Sequence, residues 1–182
     1  MLRACLGRVA MKPWPDPRYR ELTPDVLAAI SADDVGDAIV QHVALKIAER
    51  GEEARADVVR GLPAGTQAIY TTWLVDAEVN NGGFNQFFYN PSGRFAGLAL
   101  AGYELLKAED YAAVMRAAIA THEAEREPML RYYEANTPEA FSESYQRTEL
   151  GDADQRYYAL GDQIYGIWAS FVRDRAELFT DE

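Results

Sequence analysis

The feature that most restricts this chain is a recurrence of apolar residues at three- and four-residue spacing, broken repeatedly by glycine and proline. Val35, Ile39, Val43 and Ile47 fall every fourth position, with Val40 and Ala44 beside them. That spacing lays one apolar stripe along a helix over 34–50, and Gly51 ends it. Gly61-Leu62-Pro63 breaks the polar stretch that follows. Over 64–79, Ile69, Trp73 and Ala77 share a face, with Tyr70 and Leu74 next to it. The run Ile69–Val75 has strand-like composition, but it does not alternate, and the helical spacing continues to Val79. Phe95, Leu98, Ala99, Gly102, Leu105 and Leu106 mark a further helix. Tyr111, Val114, Ala118 and Ile119 begin a longer one, which Pro128 is expected to end or kink because its ring clashes with the preceding turn. Thr23-Pro24 and Thr137-Pro138 each pair an N-cap threonine with a proline suited to the first helical position. Tyr157, Leu160, Ile164, Ile167, Trp168, Phe171 and Val172 predict one last helix from about Asp152 to Leu178. There is no internal repeat, low-complexity tract or second domain boundary. The pattern predicts an all-α, single-domain helical bundle. At 182 residues and 48% hydrophobic, the chain can fill a core without disulfides or metals.

The first 22 residues read differently, as a basic, Pro-rich N-terminal arm ahead of an acidic helical domain over 23–182. Pro13, Pro15 and Pro17 exclude a regular helix or central strand there. Residues 1–20 carry Arg3, Arg8, Lys12, Arg18 and Arg20 against Asp16, a net +4. The chain total is −11, which leaves −15 on the rest. Such a body repels nucleic acid and anionic membrane and attracts basic partners. The apolar start is interrupted by Arg8, too early for a secretory leader, and translation from Met11 would account for it equally well. No run approaches the roughly 18 apolar residues of a membrane span. Cys5 is the only cysteine, so no intrachain disulfide can form, and the reducing cytoplasm is the simplest compartment.

One segment differs from everything around it. Asn80–Gly93 (NNGGFNQFFYNPSG) holds five side-chain amides, three glycines and four aromatics in fourteen residues. Asn81 or Gly82 is suited to the left-handed conformation that ends a helix. Phe84, Phe87 and Phe88 fall at helical spacing and would plug one end of the bundle. Asn90-Pro91-Ser92-Gly93 reads as a turn, with Ser92 placed to cap the next helix. The plainer reading is a rigid Gly/Asn-rich helix–helix corner whose amides satisfy backbone groups bared by the turns. The other is a polar pocket in which Asn80, Asn81, Gln86 and Asn90 read a ligand or peptide, with Tyr89 as a hydroxyl partner.

The same segment carries a resemblance. Asn80-Asn81-Gly82-Gly83-Phe84-x-Gln86-Phe87-Phe88-x-Asn90-x-Ser92-Gly93, preceded by Trp73 and Glu78, resembles the signature of the bacterial DNA-mimic protein family, a helical domain family of otherwise unknown function. The likeness in helical order extends over about residues 25–175. It implies a mainly helical, acidic homodimer. The family's named member binds basic DNA-binding proteins, a transcription factor and a histone-like protein, in place of DNA. Duplex DNA presents about one phosphate charge per 1.7 Å of axis, so a face of carboxylates could fill the same basic groove. The candidates are Glu123, Glu125, Glu127, Glu134, Glu139, Glu143, Glu149, Asp152 and Asp154, against only Arg126, Arg131 and Arg147 in that stretch. A solvated helix surface is the plainer explanation of them. The signature holds almost none of these carboxylates, so it speaks to the fold more than to the mimic face.

Catalytic and metal-binding constellations are missing from the pattern. His42 and His122 are the only histidines. His122 with Glu125 reverses the Glu-x-x-His order of di-iron bundles and occurs once. His42 lies beside the apolar stripe as a core-edge residue. Gly82-Gly83 follows a helix rather than a strand, which excludes a dinucleotide fingerprint, and there is no phosphate loop or nucleophile elbow. Asp76 and Glu78, two apart on a helix, point to different faces and do not pair for acid–base work. Glu78 is instead placed to bond into the Asn80–Gly83 turn. The expectation is a non-enzymatic protein-binding module, with no cofactor, no metal and no direct nucleic-acid or membrane contact. Its suspected partner is a basic DNA-binding protein. An immunity- or antitoxin-type inhibitor of a toxin, or a small-molecule binder built on the amide cluster, are the alternatives.

Overall fold

A computed structural model of the chain describes residues 14–180. Among these residues all regular structure is helical: α1 (Pro24–Ala29), α2 (Val35–Arg50), α3 (Arg55–Arg60), α4 (Ala64–Tyr89), α5 (Ala96–Leu105), α6 (Glu109–Ala135), α7 (Pro138–Tyr145), α8 (Gly151–Leu160) and α9 (Gln163–Asp174), with short 3-10 turns between them. The two threonine caps form as the sequence predicts. Thr23 Oγ1 accepts the Val26 N–H and Thr137 Oγ1 the Ala140 N–H, each at 3.2 Å.

The long helix α4 runs through the middle, with α2, α5, α7 and α8 packed around it. Ile69, Val75, Val79, Phe84 and Phe87 on α4 meet Tyr103, Met115, Ile164 and Trp168 in the main core, all essentially sealed from water. A second cluster joins Val43, Ile47, Val59, Leu62, Tyr70, Leu74 and Phe95 where α2 and α3 cover the start of α4. A third, Met129, Tyr132 and Ala140, joins the end of α6 to α7.

Of the arm expected over 1–22, Cys5 and residues up to Pro13 lie outside the described residues. From Asp16 onward the chain lies against α2. The Asp16 N–H donates to Gln41 Oε1 at 2.6 Å, His42 Nδ1 lies 2.7 Å from the Tyr19 carbonyl, and Leu22 joins the main core. His42 is therefore fully buried rather than at the core edge.

One expectation about helix continuity is corrected and another is narrowed. The last apolar stripe belongs to two helices. Gly161 adopts φ +59°, ψ −148°, and the chain turns between α8 and α9. Only glycine takes that conformation without strain. Pro128 does not end α6, which continues to Ala135 and stops at the left-handed Asn136. Pro128 and Ala124, whose carbonyl loses its usual partner, are both exposed, where water can take the bond.

Candidate functional site

The Asn80–Gly93 segment makes a helix–helix corner within α4, where two helical stretches meet across a kink. Helical geometry fails at Gly82 (φ −161°, ψ 29°) and Gly83 (φ +71°, ψ 179°) and resumes at Phe84. The positive φ thus falls on Gly83, one or two positions later than the expected Asn81 or Gly82. A bend of this kind strands backbone groups on both sides, and α8 supplies partners for them. The Phe84 N–H donates to Asp154 Oδ1 at 2.7 Å, so Asp154 caps the resumed helix from 70 residues away. Tyr158, one turn further along α8, donates its hydroxyl to the Val79 carbonyl at 2.9 Å. A Cβ on Gly83 would lie 2.5 Å from Asp154 Oδ2, so cap and glycine require each other.

Glu78 ties the rest of the corner together. Its carboxylate accepts from Gln86 Nε2 (2.7 Å), Asn90 Nδ2 (2.8 Å) and Ser92 Oγ (3.0 Å). Asn81 Nδ2 donates to the Oε1 of the same Gln86 at 3.0 Å. Glu78 therefore reaches past the Asn80–Gly83 turn to the segment's far end, and Ser92 bonds to Glu78 instead of capping α5. A Cβ on Gly93 would lie 2.9 Å from the Phe88 Cα, which explains a glycine where the turn folds back on the helix. Phe84 and Phe87 are wholly buried. Phe88 is half-buried and stacks on His122 with centroids 4.0 Å apart. Tyr89 donates toward the Tyr132 and Thr137 carbonyls and so joins α4 to the α6–α7 turn. Asn80, Asn81, Gln86 and Asn90 are thus each bonded to a neighbouring side chain. The most voluminous of the described clefts, 730 Å³, lies elsewhere and is lined by Arg20, His42, Lys46 and Glu49 among others.

Asp76, nearly two turns before the bend, is a centre that residue spacing did not predict. It is 6% exposed and accepts from Asn80 Nδ2 (3.0 Å), Tyr157 Oη (3.1 Å) and Tyr165 Oη (2.8 Å). Burial, reinforced by the Asp76 charge, pushes the Tyr165 hydroxyl up to about 12 and raises Tyr157 further. Both phenols therefore stay neutral donors at physiological pH. Asp76 and Glu78 do serve different neighbours, as their i, i+2 spacing requires. Asn85 is equally hidden, donating to Ser144 Oγ of α7 at 3.0 Å. It occupies a variable position of the signature, and nothing in the sequence marked it. Among the described residues no group of three or more histidine, cysteine, aspartate or glutamate side chains is arranged to hold a metal.

The carboxylate candidates divide. Asp154 is 5% exposed and serves as the cap of the bend, so it does not belong to a surface. Burial raises its pKa, partly offset by the Phe84 N–H. Glu125 is half-buried and accepts from Thr148 Oγ1 (2.7 Å) and the Glu149 N–H (2.6 Å), fastening the loop before α8 to α6. Glu123, Glu127, Glu134, Glu139, Glu143, Glu149 and Asp152 are exposed. At 100° per residue Glu123, Glu127 and Glu134 lie within about 40° of one another on α6, about 6 and 10 Å apart along the axis. The buried Met129 and Tyr132 occupy the opposite side.

A bundle of helices around a diglycine bend, clamped by a later helix and closed by an amide–carboxylate network, defines an all-α structural class with no catalytic constellation among the described residues. The chain belongs to the DMP19-like protein family, which it matches over residues 60–175, from the end of α3 through α9. That is the family of DNA-mimic proteins. No curated protein and no solved structure matches the chain.

Proposed function

We propose that this protein is a non-enzymatic protein-binding module that occupies the DNA-binding groove of a basic protein, a transcription factor or a histone-like protein. In this reading it acts in the cytoplasm as a homodimer and contacts neither nucleic acid nor membrane. One observation carries the proposal. The described ion pairs, Arg18–Asp16, Arg20–Glu49, Arg55–Glu52, Arg60–Asp57, Arg116–Glu104 and Arg175–Glu177, all lie outside residues 123–154. The seven exposed carboxylates of that stretch have no ion-pair partner among the described residues, and Arg131 is turned onto the Tyr132 ring instead. An unneutralised acidic face keeps its field for a partner.

The test neutralises the α6 stripe. With a histone-like DNA-binding protein as probe, Glu123→Gln, Glu127→Gln and Glu134→Gln together are expected to weaken binding about tenfold at low salt, with little change in thermal stability. Unchanged affinity would remove this face from the interaction.

A further inference from the structure

A second surface lies over the bend, and its chemistry differs from the acidic stripe. Tyr158 of α8 and Tyr165 of α9 are 43% and 46% exposed, although the hydroxyl of each is fixed to α4, at the Val79 carbonyl and Asp76 Oδ2. Asp76 and Val79 are one turn apart on α4, so the two hydroxyls are anchored within one turn of the same helix. Tyr145 of α7, 47% exposed, lies close enough to Tyr158 to influence its ionisation. A tyrosine with a tethered hydroxyl presents its ring face with little rotamer entropy left to lose on binding. Behind the rings lie two buried carboxylates, Asp76 and Asp154, satisfied only by neutral donors and without a cation among the described residues.

Electron-rich ring faces backed by uncompensated negative charge fit a planar cation. We infer that the Tyr158–Tyr165 surface receives arginine side chains of the basic partner, with the guanidinium stacked on a ring and drawn by the carboxylates beneath. This rests on the proposed function only in taking the partner to be basic. It adds a contact in which the guanidinium stacks on a ring, which a face of exposed carboxylates does not offer.

The test uses the full chain and two synthetic peptides of equal length and charge, one alternating glycine with arginine, the other glycine with lysine. The arginine peptide is expected to bind more tightly. Tyr158→Leu and Tyr165→Leu are each expected to weaken it about two- to fivefold and to narrow the gap between the peptides. Tyr158→Phe and Tyr165→Phe, which keep the rings, should stay within about twofold of wild type. With the wild-type protein, the arginine side-chain protons of the bound peptide should shift upfield under the ring current, a readout that does not depend on any variant folding. Equal affinity for the two peptides, or unshifted arginine protons, would overturn the inference. If the histone-like protein still binds in that case, the proposed function stands without it. If neither the peptides nor that protein binds, both fail.

Discussion

The residue that best shows how this molecule is assembled is Asp154. In sequence it is one acid among nine; in the structure it is the cap of a helix 70 residues away. Burial raises the folded pKa of its carboxyl above that of an ordinary aspartate, partly offset by the Phe84 N–H. The folded state then holds the proton more tightly than the unfolded chain. Asp154 therefore contributes most below about pH 4, and its contribution falls as pH rises through the folded pKa. Asp154→Asn keeps an acceptor for the Phe84 N–H and removes the buried charge. Denaturant titrations at several pH values should show the Asn variant gaining on wild type from pH 4 to 7. Asp154→Ala leaves the N–H bare and should cost about 1–2 kcal/mol near pH 4, a cost that shrinks toward pH 7 as the wild type loses its own contribution. Parallel pH profiles for wild type and Asp154→Asn would contradict the assignment.

At the scale of elements, α4 is the decisive piece, and its bend depends on one dihedral. Gly83, at φ +71° and ψ 179°, occupies a region essentially reserved for glycine, and a methyl there would press on the Asp154 carboxylate. Gly83→Ala should destabilise by about 2–4 kcal/mol in chemical denaturation, whereas Gly166→Ala, where a Cβ meets nothing within 4 Å, should change stability little or raise it slightly. Equal effects would mean that the bend is not strained in the way described. The same elements show what the sequence made legible. Apolar spacing located the helices because it records which face is buried. It does not record whether the backbone is continuous, so the stripe from Tyr157 to Val172 ran unbroken across the α8–α9 turn: both helices face one core. A proline inside a helix forfeits one hydrogen bond and crowds the preceding turn without having to end the helix, and at the exposed Pro128 water can take the freed carbonyl. The diglycine announced a corner, yet which glycine turns left-handed was decided by Asp154, which no local pattern could reveal. The signature amides read as caps for bare backbone, but they bond mostly to Glu78, Asp76 and one another. Three-residue and four-residue spacing placed them on the corner without showing which side chain gathers them. Asp76 and Asn85 stayed hidden for the same reason, since their partners lie on α7, α8 and α9.

For the whole molecule, the amide corner and the acidic stripe have separate tasks. Asn80–Gly93 bonds to Asp76 and Glu78 before it and to Asp154 of α8, and so joins α4 to α8 and the turn before α5. Exposed carboxylates stand on α6, α7, the loop before α8 and the start of α8, with no ion-pair partner among the described residues. The central claim is that this face takes the place of DNA on a basic protein. The most direct measurement is a competition: a histone-like DNA-binding protein on labelled duplex, titrated with this protein over a range of salt. The duplex is expected to be displaced, and log affinity to fall linearly with log salt concentration, as it does for DNA itself. A stable ternary complex of duplex, DNA-binding protein and this chain, or binding indifferent to salt, would contradict it.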